Sequence, residues 1–423
     1  MYLILGLLIR FLLISLDYSF DLNNHLSWAQ DLVNRGFPGF YETVSKEVYS
    51  SLYPNYPPLI LDIFYGFYQL KKPIVDLFWW LNLHLPIFPS KVMYFLEKRE
   101  FLLVLMKLPA IIFDIAIFYL LYLFAKKVNP KRKNNKLLVA LFILFNPIFI
   151  YLSSLWGQVE SVNLFFIFAS LYLLVYSRQA VASLILFALS LLVKPTGLIF
   201  LPVYLVYFFK KFGSKKLLLS VVAANVAFFL VYLPFYKTGN IFLFPYMSYW
   251  QKVVDALALS YVSNSAFNFW SILPALNGVR DQSLFLNFIS YRVLGLVIVG
   301  VFYVLIIKRF LAPLRGARND TGPEKRFYHS LFLTAYAFIM FSTRMHERYF
   351  VYLLPLLFLI AIKEKRYFFW LMAMSVLVFA NVYYAWSIPY NDFILGLKNS
   401  LTVAVLSFIN LLVFFKLLFK MNR

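Results

Sequence analysis

The 423-residue sequence contains no cysteine, only four histidines and only 18 acidic residues. The absence of cysteine excludes a disulfide framework, a thiolate nucleophile and a zinc–thiolate site. Charged residues make up 14% of the chain, whereas an average soluble domain has about 25%. Hydrophobic residues instead reach 62% and aromatic residues 21%, and the mean hydropathy is +0.76. The composition therefore predicts an integral membrane protein.

Apolar runs that are long enough, or nearly long enough, to cross a bilayer follow one another along the whole chain. A crossing helix needs about 20 apolar residues, and real spans range down to about 17. The sequence accordingly predicts an all-α polytopic membrane protein with about 12 transmembrane helices, several of them short. The predicted spans are residues 2–16, 101–125, 137–155, 160–177, 179–193, 196–209, 217–234, 287–307, 327–342, 349–362, 367–388 and 397–418. The first run lacks a cleavage site and a basic start, so we expect a retained span rather than a signal peptide.

Basic residues fall in alternate gaps between these spans. Six gaps hold 23 of the 40 Lys and Arg residues but only three of the 18 acids, and they are 126–136, 178, 210–216, 308–326, 363–366 and 416–423. The positive-inside rule makes these gaps cytoplasmic, together with both termini. The net charge of +22 then reflects topology, and no nucleic-acid partner is expected. Segments 17–100 and 235–286 become extracytoplasmic loops of a single membrane domain, the first with helices along the membrane surface.

Two groups of polar residues are predicted to lie at the outer membrane surface. Asp21 follows the first span closely, and it is either an N-cap of the next helix or a general base toward a hydroxyl group. Gln158 and Glu160 follow Trp156 across a glycine-containing bend that faces the same side. The helix dipole alone favours Glu160 at a helix start, and Trp156 is also typical of an interface. We expect this second group to contact sugar hydroxyls.

Four more candidates lie in two turns whose flanking spans are too short to cross upright. The runs around Lys194 have 15 and 14 residues, and those around 343–348 have 16 and 14, so both turns should be recessed below the surface. We expect the candidates to form a cationic recess for a lipid phosphate, with Glu347 as a partial counter-charge. They are Lys194, Arg344, His346 and Arg348. Snorkelling of Lys194 and a self-satisfied Arg–Glu pair in the second turn are the alternatives.

These motifs resemble the GT-C superfamily of polytopic membrane glycosyltransferases. Asp21, Trp28 and YPPL (56–59) are similar to the first outer loop of N-glycan-pathway glucosyltransferases and GPI-anchor mannosyltransferases. WGQVES (156–161) and RMHERYFVYLLP (344–355) resemble members that use dolichyl- or polyprenyl-phosphate mannose. The resemblance covers most of the chain in topology, but its specific motifs occupy about a tenth of the residues.

The resemblance implies an inverting hexosyltransferase, with mannose favoured. It would take the sugar from a polyprenyl-phosphate donor in the membrane lipids and pass it to a glycan, lipid or protein acceptor on the extracytoplasmic side. Some relatives carry a second acid at the position of Asn23, so no metal is expected, and no cofactor is expected either. The implied roles are Asp21 as catalytic base, Lys194, Arg344, His346 and Arg348 as donor-phosphate ligands, and Asn23, Trp156, Gln158 and Glu160 as contacts of the sugar or acceptor.

Two other functions stay open from the sequence. A lipid-linked oligosaccharide polymerase or ligase has similar topology and also uses outer arginine and histidine. A lipid-sugar flippase or secondary transporter would show broken helices and midplane charges in matching halves. Arg10, Lys107 and Asp114 are midplane charges but form no matched pattern, and the sequence assigns no role to Arg10.

Overall fold

The computed structural model describes residues 1–45, 53–130, 133–256, 259–312 and 322–421. Within these residues α-helices dominate, and the strands are one two-residue hairpin, β1 (Leu284–Phe285) with β2 (Ile289–Ser290). Five helices are long and apolar enough to cross a membrane, or six when a bent pair counts as one span. The predicted all-α polytopic membrane fold is confirmed, and the protein is a multi-pass integral membrane protein.

The α-helices, in chain order, are α1 (Tyr2–Leu13), α2 (Phe20–Arg35), α3 (Pro58–Gln69), α4 (Lys71–His84), α5 (Lys91–Glu97), α6 (Arg99–Val128), α7 (Asn135–Ile143), α8 (Pro147–Ile150), α9 (Glu160–Tyr176), α10 (Ala180–Leu191), α11 (Leu201–Tyr232), α12 (Phe244–Ser248), α13 (Tyr291–Leu311), α14 (Pro323–Phe341), α15 (Leu353–Lys363), α16 (Phe368–Trp386), α17 (Asp392–Gly396) and α18 (Ser400–Met421). Short 3-10 turns extend α11 and α15 at their N-termini, over Pro195–Phe200 and Glu347–Tyr352.

Several of the predicted spans are bent or interrupted helices. The span at 137–155 consists of α7 and α8, the latter continued by a π-helical segment, and the two parts meet at 48°. The spans at 196–209 and 217–234 correspond to α11 together with the short 3-10 turns at its two ends, and α11 is interrupted at Gly213. Gly213 has a φ of 79°, a conformation that a residue with a Cβ rarely adopts. The helix therefore kinks at a glycine that lies between the two predicted spans.

The centre of the bundle is formed by α6, α14 and α15. Every residue from Leu353 to Ile362 of α15 is buried, and the rings of Phe142 and Phe358 stack at 4.3 Å. By contrast, the apolar stretches of α13 and α18 are only 22% buried. A helix that is apolar but exposed in a membrane protein presents those side chains to lipid. These outer helices therefore form the lipid-facing surface.

Part of segment 17–100 forms a helical layer on the bundle. Buried residues of α2 recur at helical spacing (Leu22, Leu26, Ala29 and Leu32), and they pack in one apolar cluster with α3 and the start of α6. The predicted helix at the start of this segment is thus observed as α2. The other helix expected along the membrane surface, at 90–101, is divided between α5 and the start of α6, because Lys98 has an extended backbone.

Arg10 is buried in the first helix and forms an ion pair with α6. Its side chain is 1% exposed, and Nε donates a hydrogen bond to Asp114 Oδ2 at 2.9 Å. Its other nitrogens donate to the carbonyl oxygens of Leu144 at 2.8 Å and Ile143 at 3.2 Å. Arg10 therefore connects α1, α6 and the end of α7.

Those two carbonyls lack their usual helical donors because α7 ends beside a proline. The N–H that would bond Ile143 belongs to Pro147, which has none. The N–H of Ile148, which would bond Leu144, is instead bonded to Asn146 Oδ1 at 3.0 Å. A buried carbonyl without a partner is costly in an apolar medium. The guanidinium group of Arg10 supplies the missing donors, which gives this residue the role that the sequence left open.

Replacing Arg10 tests this role. Arg10→Met leaves Asp114 charged and buried without its partner, and breaking a buried ion pair typically costs about 3–5 kcal/mol. We expect a large drop in the thermal unfolding midpoint of purified protein in detergent. The double variant Arg10→Met/Asp114→Asn should recover part of that loss but not all of it, since the two carbonyls stay without donors. A double variant that is less stable than Arg10→Met would contradict this assignment.

Candidate functional site

Asp21 lies in the first turn of α2, but it does not cap that helix. The cap is Ser19, whose Oγ accepts a hydrogen bond from the Leu22 N–H at 3.1 Å and donates one to the Trp156 carbonyl at 2.8 Å. The Asp21 carboxylate instead accepts a hydrogen bond from Gln158 Nε2 at 2.6 Å. The interpretation of Asp21 as an N-cap is therefore wrong, since its side chain binds another part of the chain.

Gly157 brings Gln158 to this position. A π-helical segment ends at Gly157, whose φ of 78° lies in the left-handed region. A Cβ at this residue would lie 2.7 Å from Leu22 Cδ1, so a larger residue would also require the Leu22 side chain to move. Glycine is therefore favoured at this turn, which directs Gln158 toward Asp21 and places Glu160 at the start of α9.

Glu160 is the centre of a buried ion-pair network. Its Oε1 accepts a short hydrogen bond from Lys194 Nζ, and Arg348 Nε lies 3.3 Å from the same oxygen. Arg348 also contacts Glu347 at 2.7 Å and approaches Asp21 at 3.8 Å. The turns of Lys194 and Arg348 therefore converge, as their short flanking spans indicate. We refer to Asp21, Gln158, Glu160, Lys194, Glu347 and Arg348 as the charged cluster.

Trp156 adjoins the charged cluster, and Asn23 does not. The Arg348 guanidinium lies 5.6 Å from the Trp156 ring centroid, and that ring stacks on Trp386 at 5.8 Å. Asn23, which was predicted to contact the sugar or acceptor, instead accepts a hydrogen bond from Arg99 at 2.7 Å. Trp386 belongs to a helix far along the sequence, and no spacing signal connected it to this region.

Arg344 and His346 lie in the same turn as Arg348, but Arg344 has a different partner, whereas His346 shares Glu347 with Arg348. Arg344 Nε donates to Asp281 Oδ2 at 2.6 Å, and Asp281 is completely buried. His346 Nδ1 lies 3.7 Å from Glu347, and its backbone pairs with the loop at Asn264. Asp281 was not singled out from the sequence, because a single acid in a long loop carries no periodic signal.

The charged cluster and its surroundings have no excess of lysine and arginine over carboxylates. Lys194 has Glu160 as a partner, Arg348 has Glu347, and Arg344 has Asp281. The sequence predicted a recess with more positive than negative groups. In the structure each of these cations has a carboxylate partner, and Asp21 adds a further negative charge. This part of the protein therefore differs from the expected cationic recess.

The electrostatics of Asp21 follow from these neighbours. Burial alone would raise the pKa of the Asp21 carboxyl, but Arg348, His25 and the Gln158 hydrogen bond outweigh it and lower the pKa below its usual value. Its side chain is 38% exposed, so the carboxylate can still meet a ligand. A general base is most effective when its pKa lies near the working pH. Asp21 is therefore suited to accept hydrogen bonds more than to remove protons.

His25 lies one helical turn beyond Asp21 and is completely buried. Its ring stacks on Phe64 at 4.4 Å and meets the edge of Tyr56 at 5.3 Å. Neither ring nitrogen has a hydrogen-bond partner among the residues that the structure describes. The sequence reasoning missed this residue, although its i, i+4 spacing from Asp21 could have indicated it. No group of three or more metal-ligating side chains occurs within the described ranges.

A cleft of about 310 Å³ adjoins the charged cluster. Tyr349 connects the two, because its ring lines the cleft and lies 5.3 Å from Lys194 Nζ. Most of the lining is apolar, and Arg292 and Arg344 are its two cations. We call this space the apolar cleft. It offers room for a hydrocarbon group directly beside a polar cluster.

The fold and the charged cluster define a polytopic membrane protein with a buried, charge-balanced polar site next to an apolar cleft. The sequence matches the family described as GPI transamidase subunit PIG-U over residues 5–294. This match covers more than half of the chain, and the protein belongs to the PIG-U family. The matched range contains Asp21, Gln158, Glu160 and Lys194, and it ends before Arg348. A comparison with curated proteins finds no match.

The predicted glycosyltransferase function is wrong. The family is that of a transamidase subunit, which contradicts the predicted hexosyltransferase activity, its enzyme class and its polyprenyl-phosphate sugar donor. The polymerase or ligase and the flippase or transporter do not fit either. The resemblance to the GT-C superfamily is confirmed at a broader level. PIG-U is a multi-pass membrane protein family that is related to GT-C-like mannosyltransferases. The geometry agrees with this correction, since Lys194, Arg344 and Arg348, which were expected to bind a departing phosphate, are already paired with carboxylates.

The pH dependence of stability should reveal the buried His25. Burial lowers the pKa of His25 to about 3, and the positive charges of Lys194 and Arg348 add to this while Asp21 opposes it. Between pH 6.5, the usual value of a histidine, and pH 3, the unfolded chain binds a proton that the folded chain does not. The free energy of unfolding should therefore fall as the pH is lowered through this window.

The measurement is the thermal unfolding midpoint between pH 7 and pH 4 for wild type and two variants. His25→Phe removes the titrating group, so its midpoint should fall less steeply than that of wild type. His84→Phe is the control, because His84 is exposed and stacks on Trp80. A His25→Phe profile with the wild-type slope would show that His25 does not titrate as described.

Proposed function

We propose that this protein is a membrane subunit of a transamidase that joins proteins to a GPI-type glycolipid, and that its charged cluster receives the glycolipid headgroup. The observation that carries the proposal is membership of the PIG-U family combined with a buried polar site that has unused acceptor atoms. The predicted sugar contacts Gln158 and Glu160 keep a related role here, as contacts of a bound headgroup rather than of a reacting sugar.

The unused acceptors are Glu160 Oε2 and Gln158 Oε1. Both are buried and have no hydrogen-bond partner in the part of the chain that the structure describes. Buried polar atoms are nearly always bonded in native proteins, so these two suit the hydroxyl or ammonium donors of a ligand. A glycan headgroup presents many such donors. The half-exposed Asp21 adds a third acceptor at the same place.

Charge balance favours a hydroxyl-rich headgroup over an isolated phosphate. A phosphate would need an excess of cations, whereas Lys194 and Arg348 are both engaged by carboxylates. Arg348 contacts carboxylates through several nitrogens and still has donor capacity, since a guanidinium carries five N–H groups. The face of Trp156 and the ring of Tyr349 flank the cluster, and pockets for small molecules commonly combine aromatic walls with a few polar groups.

The apolar cleft is in the right place for the hydrocarbon part of such a lipid. It begins at Tyr349 beside the charged cluster and continues between the 3-10 turn at Pro195–Phe200 and the start of α13. Its volume of about 310 Å³ lies at the lower end of the range for ligand pockets. A glycolipid would thus place its polar end at Glu160 and part of its apolar end at this cleft.

The catalytic step belongs to a protein partner in this proposal. Acyl transfer to an amine commonly proceeds through a covalent intermediate on an activated nucleophile. The chain has no cysteine, and none of its histidines hydrogen-bonds a serine within the described ranges. Our proposal therefore assigns this chain to binding and presenting the glycolipid, and it assigns the nucleophile to another subunit of the complex.

The test measures attachment of a glycolipid to a reporter protein in membranes of cells that lack this chain. Attachment should be lost without the chain and restored by wild type. Asp21→Asn should raise the glycolipid concentration needed for half-maximal attachment by about 10- to 100-fold, since a hydrogen bond to a charged group contributes about 1.5–3 kcal/mol. The maximal rate should stay close to wild type, because binding is altered and chemistry is not.

Asp31→Asn is the matched control, since Asp31 lies on the same helix and pairs with Arg35 away from the charged cluster. It should need the wild-type glycolipid concentration. Normal attachment in the absence of the chain would contradict the proposal. An Asp21→Asn variant with a reduced maximal rate and an unchanged concentration dependence would contradict the binding role of the cluster.

A further inference from the structure

A second pocket lies at the other end of α9. Its volume is about 560 Å³, and it is formed where the C-terminal ends of α9 and α13 meet the N-terminal end of α14 and the first half of α11. Glu160 begins α9 and Val175, which lines this pocket, lies near its end. At 1.5 Å per residue these two positions are roughly 22 Å apart. The pocket is therefore separate from the charged cluster.

The lining of this pocket is predominantly basic. Among the described residues, its charged lining consists of Lys210, Lys211 and Arg326 and one carboxylate, Glu324. We call it the basic pocket. The charged cluster balances its cations with acids, whereas here three cations face one acid. The sequence explains these basic residues by the positive-inside rule, but that rule does not require them to line one cavity.

Two of the cations are fixed by the backbone of the surrounding helices. Lys211 Nζ donates hydrogen bonds to the carbonyls of Leu174 and Val175 at 2.8 and 2.6 Å. Arg326 donates from one nitrogen to the Ala312 carbonyl at 2.9 Å. Capping of helix C-termini is a sufficient reason for these two bonds. It leaves most of the Arg326 N–H groups without a partner among the described residues, because a guanidinium group has five donors.

Lys210 does not cap a helix in this way. Its ammonium lies 5.0 Å from the Phe310 ring centroid, and it makes no ion pair or hydrogen bond with any residue in the described portion of the chain. Lys210 is exposed. Lys210 and the neighbouring Arg326 therefore both have N–H groups that can bind an anion.

The remaining walls of the pocket are apolar. Val175, Tyr207, Phe310 and Leu311 line it, and α13 is one of the helices that can cross a membrane. Basic pockets between transmembrane helices at the cytoplasmic side are known sites for anionic lipid headgroups. The basic gaps predict that this end of the bundle is cytoplasmic.

We propose that the basic pocket binds the phosphate group of an anionic membrane lipid, with the acyl chains against the apolar wall at Phe310 and Leu311. Lys210 and Arg326 contact the phosphate, and Lys211 adds to the positive potential. This site does not depend on the proposed function, since it lies at the opposite end of the bundle and recognises a different chemical group.

The experiment measures lipid binding by the purified full-length protein with native mass spectrometry and thermal unfolding in detergent. The probes are phosphatidylglycerol, phosphatidylcholine and inorganic phosphate. Wild type should retain and be stabilised by phosphatidylglycerol in preference to phosphatidylcholine. Lys210→Gln/Arg326→Gln should weaken phosphatidylglycerol binding by about 30-fold, since each basic residue near an anionic lipid contributes about fivefold.

Lys215→Gln/Lys216→Gln is the matched control. It removes the same number of positive charges, both from the basic gap that contains Lys210, but neither residue lines the pocket. It should bind phosphatidylglycerol like wild type. Equal losses in the two double variants would overturn the site in favour of general surface charge. Stabilisation by inorganic phosphate equal to that by phosphatidylglycerol would overturn the lipid assignment and identify a soluble phosphate compound as the ligand.

Discussion

Backbone carbonyls at helix ends within an apolar bundle need hydrogen-bond donors, because neither lipid nor an apolar core supplies them. This chain breaks its helices repeatedly, at Pro147, at Gly157 and at the turn around Lys194. At the first two breaks a buried cation donates hydrogen bonds to the backbone carbonyls that have lost their helical donors. Arg10 binds the carbonyls at the end of α7, and Lys107 Nζ donates to the carbonyls of Ile14, Asp17 and Ser154.

The charged cluster depends on these supports. Lys107 holds the carbonyl of Ser154, three residues before Gly157, and thereby fixes the turn that carries Gln158 and Glu160. The turn that carries Lys194 is held by Asn163, whose Nδ2 donates hydrogen bonds to the carbonyls of Ser190 and Lys194 at 3.0 and 2.9 Å. This side chain sets the backbone from which Lys194 reaches Glu160.

The same supports explain why so many charged side chains are tolerated in buried positions. A buried ion pair contributes little net stability, but removing one partner is severe. Substituting one residue of such a pair therefore leaves its partner buried and unpaired, which destabilises the protein. This network of buried ion pairs suits recognition of a headgroup better than a catalytic cycle in which a base must gain and lose protons.

The sequence predicted the parts of this structure that depend on local patterns. Hydropathy located the helices, helical spacing located α2, and the short flanking spans correctly brought Lys194 and Arg348 together with Glu347 as a counter-charge. It could not predict pairs that join distant segments, such as Arg344 with Asp281 or Arg10 with Asp114, because no spacing connects them. Asp281 in particular changes the charge beside the site, because it neutralises Arg344.

The predicted glycosyltransferase function was wrong for the same reason, because sequence spacing does not show which distant residues pair in the site. The motif around Asp21 and the sequence WGQVES (156–161) resemble glycosyltransferases that are related to this family. Local motifs do not show whether the cations beside them are free or already paired. Whether a carboxylate there acts as a base or as a hydrogen-bond acceptor depends on Arg348 and Gln158, which lie far from Asp21 in the sequence.

The central claim is that the charged cluster recognises a glycan headgroup and not a phosphate alone. Its most direct test is a binding titration of the purified protein with phosphatidylinositol that carries glucosamine and with phosphatidylinositol that carries no sugar. Two lipids with the same phosphate and the same acyl chains isolate the sugar. The account predicts clearly tighter binding of the glucosaminyl lipid and loss of that preference in Asp21→Asn. Equal affinity for the two lipids would contradict it.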